Sequence, residues 1–217
     1  MQTISDYKSV IFDCDGVILQ SNKLKTNAFS EVLSSEPKKK VDDFINYHKT
    51  NGGVSRYVKF EYYFREIKHE KNYKQMAEKA ILQYAKIVKS KLKRIDYVPG
   101  FLEIINYFNS KKVPCFIISG GDQDELHEIF QYRQIFDKFK CILGSPIEKE
   151  SHVKNLLMDN FIIGPAIFFG DASSDMKAAI NNQIEFCFVK QFSEWKDGER
   201  IAKQASCMVI ENFEEIL

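Results

Sequence analysis

Residues 8–16 read KSVIFDCDG, a short apolar run that ends in two carboxylates and a glycine. The run is rich in β-branched and aromatic residues and too short for a helix, so a strand at 8–13, buried on both faces, is expected. Asp13 and Asp15 then fall where the chain leaves the sheet. Outward from there the pattern changes twice. From about residue 22 to 94 strand signals vanish, and apolar residues recur at helical spacing, as in Met76, Ala80, Ile81, Tyr84, Ile87 and Val88. Gly52-Gly53 break that block into several helices. Beyond Pro99-Gly100, strand-like runs at 113–118, 140–143, 166–169, 185–189 and 207–210 alternate with helical stretches at 101–110, 123–133, 151–160 and 174–182.

Such alternation predicts an α/β fold: a parallel sheet with right-handed crossovers, carrying an all-helical insertion after its first strand. Open sheets of this kind bind ligands at the carboxyl ends of their strands, so the residues just past each strand matter most. Asp13 and Asp15 can converge on one cation, and magnesium takes one or two carboxylates together with phosphate and water. Ser119-Gly120-Gly121-Asp122 offers a hydroxyl and flexible backbone leading into a helix, where N–H groups and the helix dipole favour an anion. Gly170-Asp171-Ala172-Ser173-Ser174-Asp175 adds two further acids, and Ser145-Pro146-Ile147-Glu148-Lys149 brings a lysine to the same edge. Four acids meeting without a cation would repel one another and raise each other's pKa. A divalent metal and the lysine resolve that conflict.

In order and in strand position these motifs resemble the four of the haloacid dehalogenase superfamily. DCDGV matches the first, ISGG the second, Lys149 within SPIEK the third and GDASSD the fourth. The match spans both ends of a Rossmann-like core. The block 22–94 falls where the helical cap of phosphoglycolate phosphatase-like and β-phosphoglucomutase-like members is inserted. The resemblance implies a core of residues 1–16 and 97–217 with a cap of residues 17–96. It implies a Mg2+-dependent phosphatase acting on a small phosphomonoester, such as a sugar phosphate, in which Asp13 attacks phosphorus and forms an aspartyl-phosphate. Asp15 would serve as general acid and then general base. Mg2+ would be held by Asp13, the carbonyl of Asp15 and Asp171. Asp175 would act through a metal-bound water or by pairing with Lys149, the alternative being plain support of its helix N-terminus. Ser119 and the Gly120 N–H would bind the phosphoryl group, with Lys149 stabilising its charge. Lys154, five residues on, is the rival lysine and reads as a solvated helix residue. A β-phosphoglucomutase-type phosphomutase keeps every motif and is the second reading. A non-catalytic phospho-ligand-binding relative is the third, and the presence of Asp13 and Asp15 speaks against it.

Within the cap, Asn51-Gly52-Gly53-Val54-Ser55-Arg56, followed by Lys59, is the expected substrate loop, with Gly53, Arg56 and Lys59 in contact with the ligand. Asn22 and Lys25 are placed to face the site from the cap hinge. The charge is uneven: residues 17–96 hold 18 Lys and Arg against nine Asp and Glu, whereas the rest holds 13 against 21. That excess suits an anionic substrate arriving over an acidic core. Net charge is only +1, so nucleic acid and membrane surfaces are not expected partners. The expected partner is a small phosphorylated metabolite, and the chain is expected as a monomer or homodimer. Five scattered cysteines without a CxxC pair point to a reduced, cytoplasmic protein, and Cys14 is expected to pack beneath the site. His48, His69, His127 and His152 have no metal-ligand spacing and read as surface or partly buried side chains. Lys38-Lys39-Lys40 reads as a solvated loop before a helix.

Overall fold

The structure is a computed structural model and describes residues 3–217, so the first two residues of the expected core segment lie outside the described residues. Its six parallel strands are β1 (Ser9–Phe12), β2 (Cys115–Asp122), β3 (Cys141–Ser145), β4 (Ala166–Gly170), β5 (Glu185–Val189) and β6 (Met208–Ile210). They lie in the order β3-β2-β1-β4-β5-β6. The chain builds outward from β1 on one side, returns, and builds outward on the other. The carboxyl end of β1 is therefore the point where strand order reverses, which is where such sheets open a crevice for ligand.

Between β1 and β2 the chain forms α1 (Asn22–Val32), α2 (Lys38–Thr50), α3 (Arg56–Tyr62), a π turn at Tyr63–Ile67, α4 (Tyr73–Leu92) and then α5 (Phe101–Ser110). The remaining helices, α6 (Gln123–Tyr132), α7 (Lys149–Met158), α8 (Ser173–Asn181) and α9 (Gly198–Gln204), alternate with the later strands. The first four helices form the inserted helical block, in the place expected of the cap and called by that word below. The α4 stripe Ala77, Ala80, Tyr84, Val88 and Leu92 is buried at steps of three and four residues, as an amphipathic helix requires.

Two hydrophobic clusters hold the layers. On one face of the sheet Phe12 stacks on Phe169 at 5.3 Å and meets the edge of Phe101 at 5.7 Å. That cluster continues through Val17, Ile18 and Leu19 into the cap, where Phe29 packs on Phe44, Phe60 and Tyr84. On the other face Ile11, Phe116, Ile118 and Phe168 pack under α7 and α8. Each fully buried aromatic or aliphatic side chain contributes roughly 1.5–3 kcal/mol of transfer free energy.

The expected strands and helices all form, with shifted ends. β2 runs on to Asp122 past a register shift after Ile118, so Ser119-Gly120-Gly121 lies inside the strand's irregular end. α7 begins at Lys149 rather than 151. Lys38-Lys39-Lys40 is not a loop but the first turn of α2. Pro37 presets the backbone for helix entry, lysine is a good helix former, and Lys39 pairs with Asp43 one turn on at 3.0 Å. His48 and His152 are buried rather than superficial or partly buried, and each has a hydrogen-bond partner inside. His152 Nε2 meets the Gly144 carbonyl at 2.9 Å, and His48 belongs to the cavity described next.

Candidate active site

Every strand-end acid expected from the sequence reaches the carboxyl edge of β1 and β4. Asp13, Asp171 and Asp175 bring carboxylate oxygens within 4.8 Å of one another, and all three are buried. Lys149, at the first turn of α7, reaches Asp13 Oδ1 at 2.8 Å and Asp175 Oδ1 at 2.6 Å. Lys154 lies exposed on the same helix. The other Asp175 oxygen accepts the N–H of Asp171 at 3.3 Å and of Ala172 at 3.1 Å. Asp175 thus both pairs with Lys149 and supports the start of α8.

One ammonium cannot balance three buried carboxylates. Burial, then the Asp175 charge, pushes Asp13 well above the usual carboxylate range, with Lys149 opposing. Burial and then Asp13 push Asp171 up likewise. Lys149 is held above its ordinary value because Asp13 and Asp175 outweigh the burial that would lower it. Although Asp13 Oδ1 is ion-paired, it has no aligned hydrogen-bond donor. Hard oxygen donors, an excess of buried negative charge and an orphaned oxygen fit a divalent cation such as Mg2+.

Asp15 points the other way, into the cap. Its Oδ2 accepts from Lys25 Nζ at 2.6 Å and its Oδ1 from the Ser21 hydroxyl. Burial alone would raise Asp15, yet Lys25 and Ser21 hold it below the ordinary range. Asn22 Nδ2 donates to Asp171 Oδ2 at 2.5 Å. Cys14, between the two acids, is 2% exposed, and burial pushes its thiol far up, so it packs and does not react.

Ser119 is fully buried and its Oγ accepts from the Gly121 N–H at 3.1 Å. The expected helix-dipole seat beside Gly120 is corrected. The N-terminus of α6 is capped by Asp122, which accepts from the Glu125 N–H at 2.9 Å, so a carboxylate already occupies that helix end. Gly120 has a different reason to be glycine. A Cβ there would stand 2.0 Å from the carbonyl oxygen of Gly53, because the cap loop lies directly on it. Gly53 itself has φ +75°, and a Cβ on it would meet Ser174 Oγ at 2.1 Å and Lys149 Nζ at 3.1 Å. Ser174 also donates to the Gly52 carbonyl at 2.9 Å, fastening the loop to the core.

A cavity of about 70 Å³ remains between cap and core, with Asp13, Asp15 and Gly120 on one wall and Lys25, Arg56 and Lys59 on the other. Arg56, expected to meet ligand, lines this cavity and pairs with Glu125 at 3.1 Å, and Tyr57 donates to Asp122 at 2.5 Å. Lys59 is 2% exposed and donates to His48 Nδ1 at 2.8 Å. Glu125, Tyr57, His48, Thr26 and Glu194 were not foreseen, because each acts through a partner distant in sequence.

Residues 10–189 match the model of the family described as haloacid dehalogenase-like hydrolase. Among curated proteins no sequence relative is found. Among solved structures, a predicted phosphoglycolate phosphatase from Haemophilus somnus superposes with TM-score 0.74 at 14% identity, covering 98% of this chain and 97% of that one. A predicted phosphatase from Clostridium acetobutylicum gives 0.72 at 17%, covering 96% and 95%. A β-phosphoglucomutase candidate from Thermotoga maritima gives 0.67 at 18%, covering 97% and 96%. At such identities the likeness is one of fold.

Proposed function

We propose, since the chain belongs to the haloacid dehalogenase-like hydrolase family, that it is a Mg2+-dependent phosphatase of small phosphomonoesters with Asp13 as nucleophile. The observation that carries the reading is the position of Asp13: buried at the sheet's switch point, paired to Lys149, short of one hydrogen-bond donor, and on the wall of the cavity that also holds Asp15. Residues 17–96 act as the cap over a core of 1–16 and 97–217. Asp13, Asp171 and the Asp15 carbonyl would hold Mg2+, whose charge would neutralise phosphoryl oxygens.

In the first half-reaction an Asp13 oxygen forms a bond to phosphorus as the bond to the leaving oxygen breaks. Asp15 gives its proton to that oxygen, and in the second half it takes a proton from the water that attacks the aspartyl-phosphate. Lys25 favours the ionised form, the base of the second half. The acid of the first half forms when an incoming phosphoryl group adds negative charge beside Asp15. Lys149 and Ser119 stabilise and orient the transferring group, and the closed Gly53 loop keeps bulk water out. Five free cysteines support a reducing, cytoplasmic setting.

The test is phosphate release from a broad panel of phosphomonoesters, with Mg2+ and with chelator. Metal-dependent release from a narrow subset is expected. Phosphate relocated within the substrate, with none released, would mean a mutase. Metal-independent release would contradict the assignment of the acids.

A further inference from the structure

The amino ends of the strands, at the edge opposite the acid cluster, open a groove of about 590 Å³. It runs between the α5–β2 connection and the α7–β4 loop, beside the residues that lead into β1. That volume is the size of a small-molecule site, against about 70 Å³ left between cap and core. Tyr107, Val113 and Pro114 line it half-buried, and Ile163 lines it 58% exposed. Met158 and Phe161, just before Ile163 in the chain, are 68% and 40% exposed. Single exposed apolar side chains are ordinary, but these three concentrate apolar surface beside a groove, where a ligand can cover it.

The rim of the groove is basic. Lys8, Lys111 and Lys112 all border it, and among the described residues no carboxylate lies at ion-pair distance from any of the three. Asp6, the acid nearest to Lys8 in the chain, is engaged elsewhere and accepts the Thr3 N–H at 2.8 Å. Lys111 and Lys112 follow the last turn of α5, where a cation also suits the helix dipole. Lys8 stands on no helix, so that explanation does not reach it. Its place is set by Gly164, whose φ is +66° and where a Cβ would stand 3.1 Å from Cβ and Cγ of Lys8. The glycine lets the lysine stem lie against the loop. Backbone bonds hold the frame: the Lys8 N–H donates to the Pro165 carbonyl at 2.7 Å and the Val10 N–H to the Pro114 carbonyl at 3.0 Å. Ser9 Oγ accepts the Ile163 N–H and donates to the Ile163 carbonyl, each at 3.1 Å. A ligand therefore meets a groove already formed, which spares the cost of ordering it.

We propose that this groove is a second binding site, remote from Asp13, for a small amphipathic anion: a carboxylate or phosphate head joined to an apolar chain. The head answers Lys8, Lys111 and Lys112, and the chain covers the strip from Tyr107 to Ile163. Charge complementarity selects this occupant over a second copy of the protein. A two-fold contact through the groove would set the same three lysines against one another. The site does not depend on the reading of Asp13 as a nucleophile.

Amide NMR of the full chain tests this, with decanoate, decylphosphonate and decanol titrated below their aggregation limits. At least one of the two anions should give saturable shifts at the amides of Lys112, Val113, Ile163 and Gly164, with a Kd below about 1 mM. The tighter of the two identifies the head group. Decanol should bind roughly 10-fold more weakly or worse, the scale of one charged hydrogen bond. Octanoate should bind several-fold more weakly than decanoate, because two fewer methylenes are covered. Combining Lys8→Gln, Lys111→Gln and Lys112→Gln should bring the anions down to the affinity of decanol, and the three corresponding arginine substitutions should preserve it. All three lysines are exposed, so neither variant threatens the fold. No saturable shift at these amides up to about 5 mM of either anion would overturn the site. Equal binding of decanol, an unchanged affinity in the glutamine variant, or shifts centred on Asp13 and Lys149 would overturn it equally. Shifts at these amides on changing protein concentration alone would mean a self-contact in place of a ligand site.

Discussion

On the sheet side of the cavity three buried carboxylates share one lysine, whereas on the cap side each cation but one has its own carboxylate. The difference lies in where the counter-charges come from. Lys25, Lys49 and Arg56 stand in the helical block, and their partners Asp15, Glu194 and Glu125 all stand in the core. Further out, Lys89 and Lys93 of the cap both reach Glu128 of α6, at 2.9 and 2.6 Å. The basic cap and acidic core therefore neutralise one another across their boundary. Part of the charge asymmetry visible in the sequence is taken up in these pairs. What remains unbalanced in the interior is the acid cluster around Asp13, which calls for a cation.

The acid cluster should respond most to substitution. Asp13→Asn should lower turnover by roughly four orders of magnitude or more, the scale for loss of a nucleophile. Its unfolding midpoint should not fall, because one of three repelling carboxylates is gone; a marked destabilisation would show that the cluster is structurally satisfied without a metal. Next in size is the contact between the two regions. Gly120→Ala puts a methyl group where the Gly53 carbonyl rests, and a displaced cap of this kind should cost about 100-fold in kcat. Wild-type kcat in that variant would mean that the cap need not seat there during turnover.

The ion pairs across the boundary should show a smaller effect. A double-mutant cycle of Arg56→Met and Glu125→Gln on thermal stability should give a coupling of about 1–3 kcal/mol, since both groups are largely buried. A coupling near zero would reduce the pair to an incidental contact. The smallest effect is in His48. Its folded pKa is depressed by burial, so the unfolded chain takes up the proton first and stability is lost as pH falls below the ordinary value of 6.5. Between pH 7.5 and 5.5 the wild type should lose about 1 kcal/mol more stability than His48→Gln. Parallel pH profiles would mean that His48 titrates normally in the fold.

Asp13 and Asp171 were readable because each follows directly on a short strand, Ser119 because it lies in the irregular end of β2, and Asp15, Lys149 and Asp175 because each stands within five residues of a strand's end, where local sequence determines place. Six apolar runs punctuated by helices likewise made the sheet plain. The cap wall was not readable in that way. Arg56 and Glu125 are 69 residues apart and Thr26 and Glu194 are 168 apart, and charged residues on helices look alike whether they face solvent or a partner. His48 sits among Asn46, Tyr47 and Lys49, a polar neighbourhood that hid its burial beneath α1 and α3. The cap on α6 was missed because Asp122 reads equally well as a loop acid and as an N-cap; only the extension of β2 to that residue decides it.

Whether Asp13 carries the phosphoryl group is read out by acid-quenching the enzyme during turnover with Mg2+ and a hydrolysed substrate, followed by peptide mass spectrometry. One phosphoryl group is expected on the peptide containing Asp13, absent in Asp13→Asn and lost on treatment with hydroxylamine. Turnover with no covalent adduct in the wild type, or an adduct on any other residue, would contradict it.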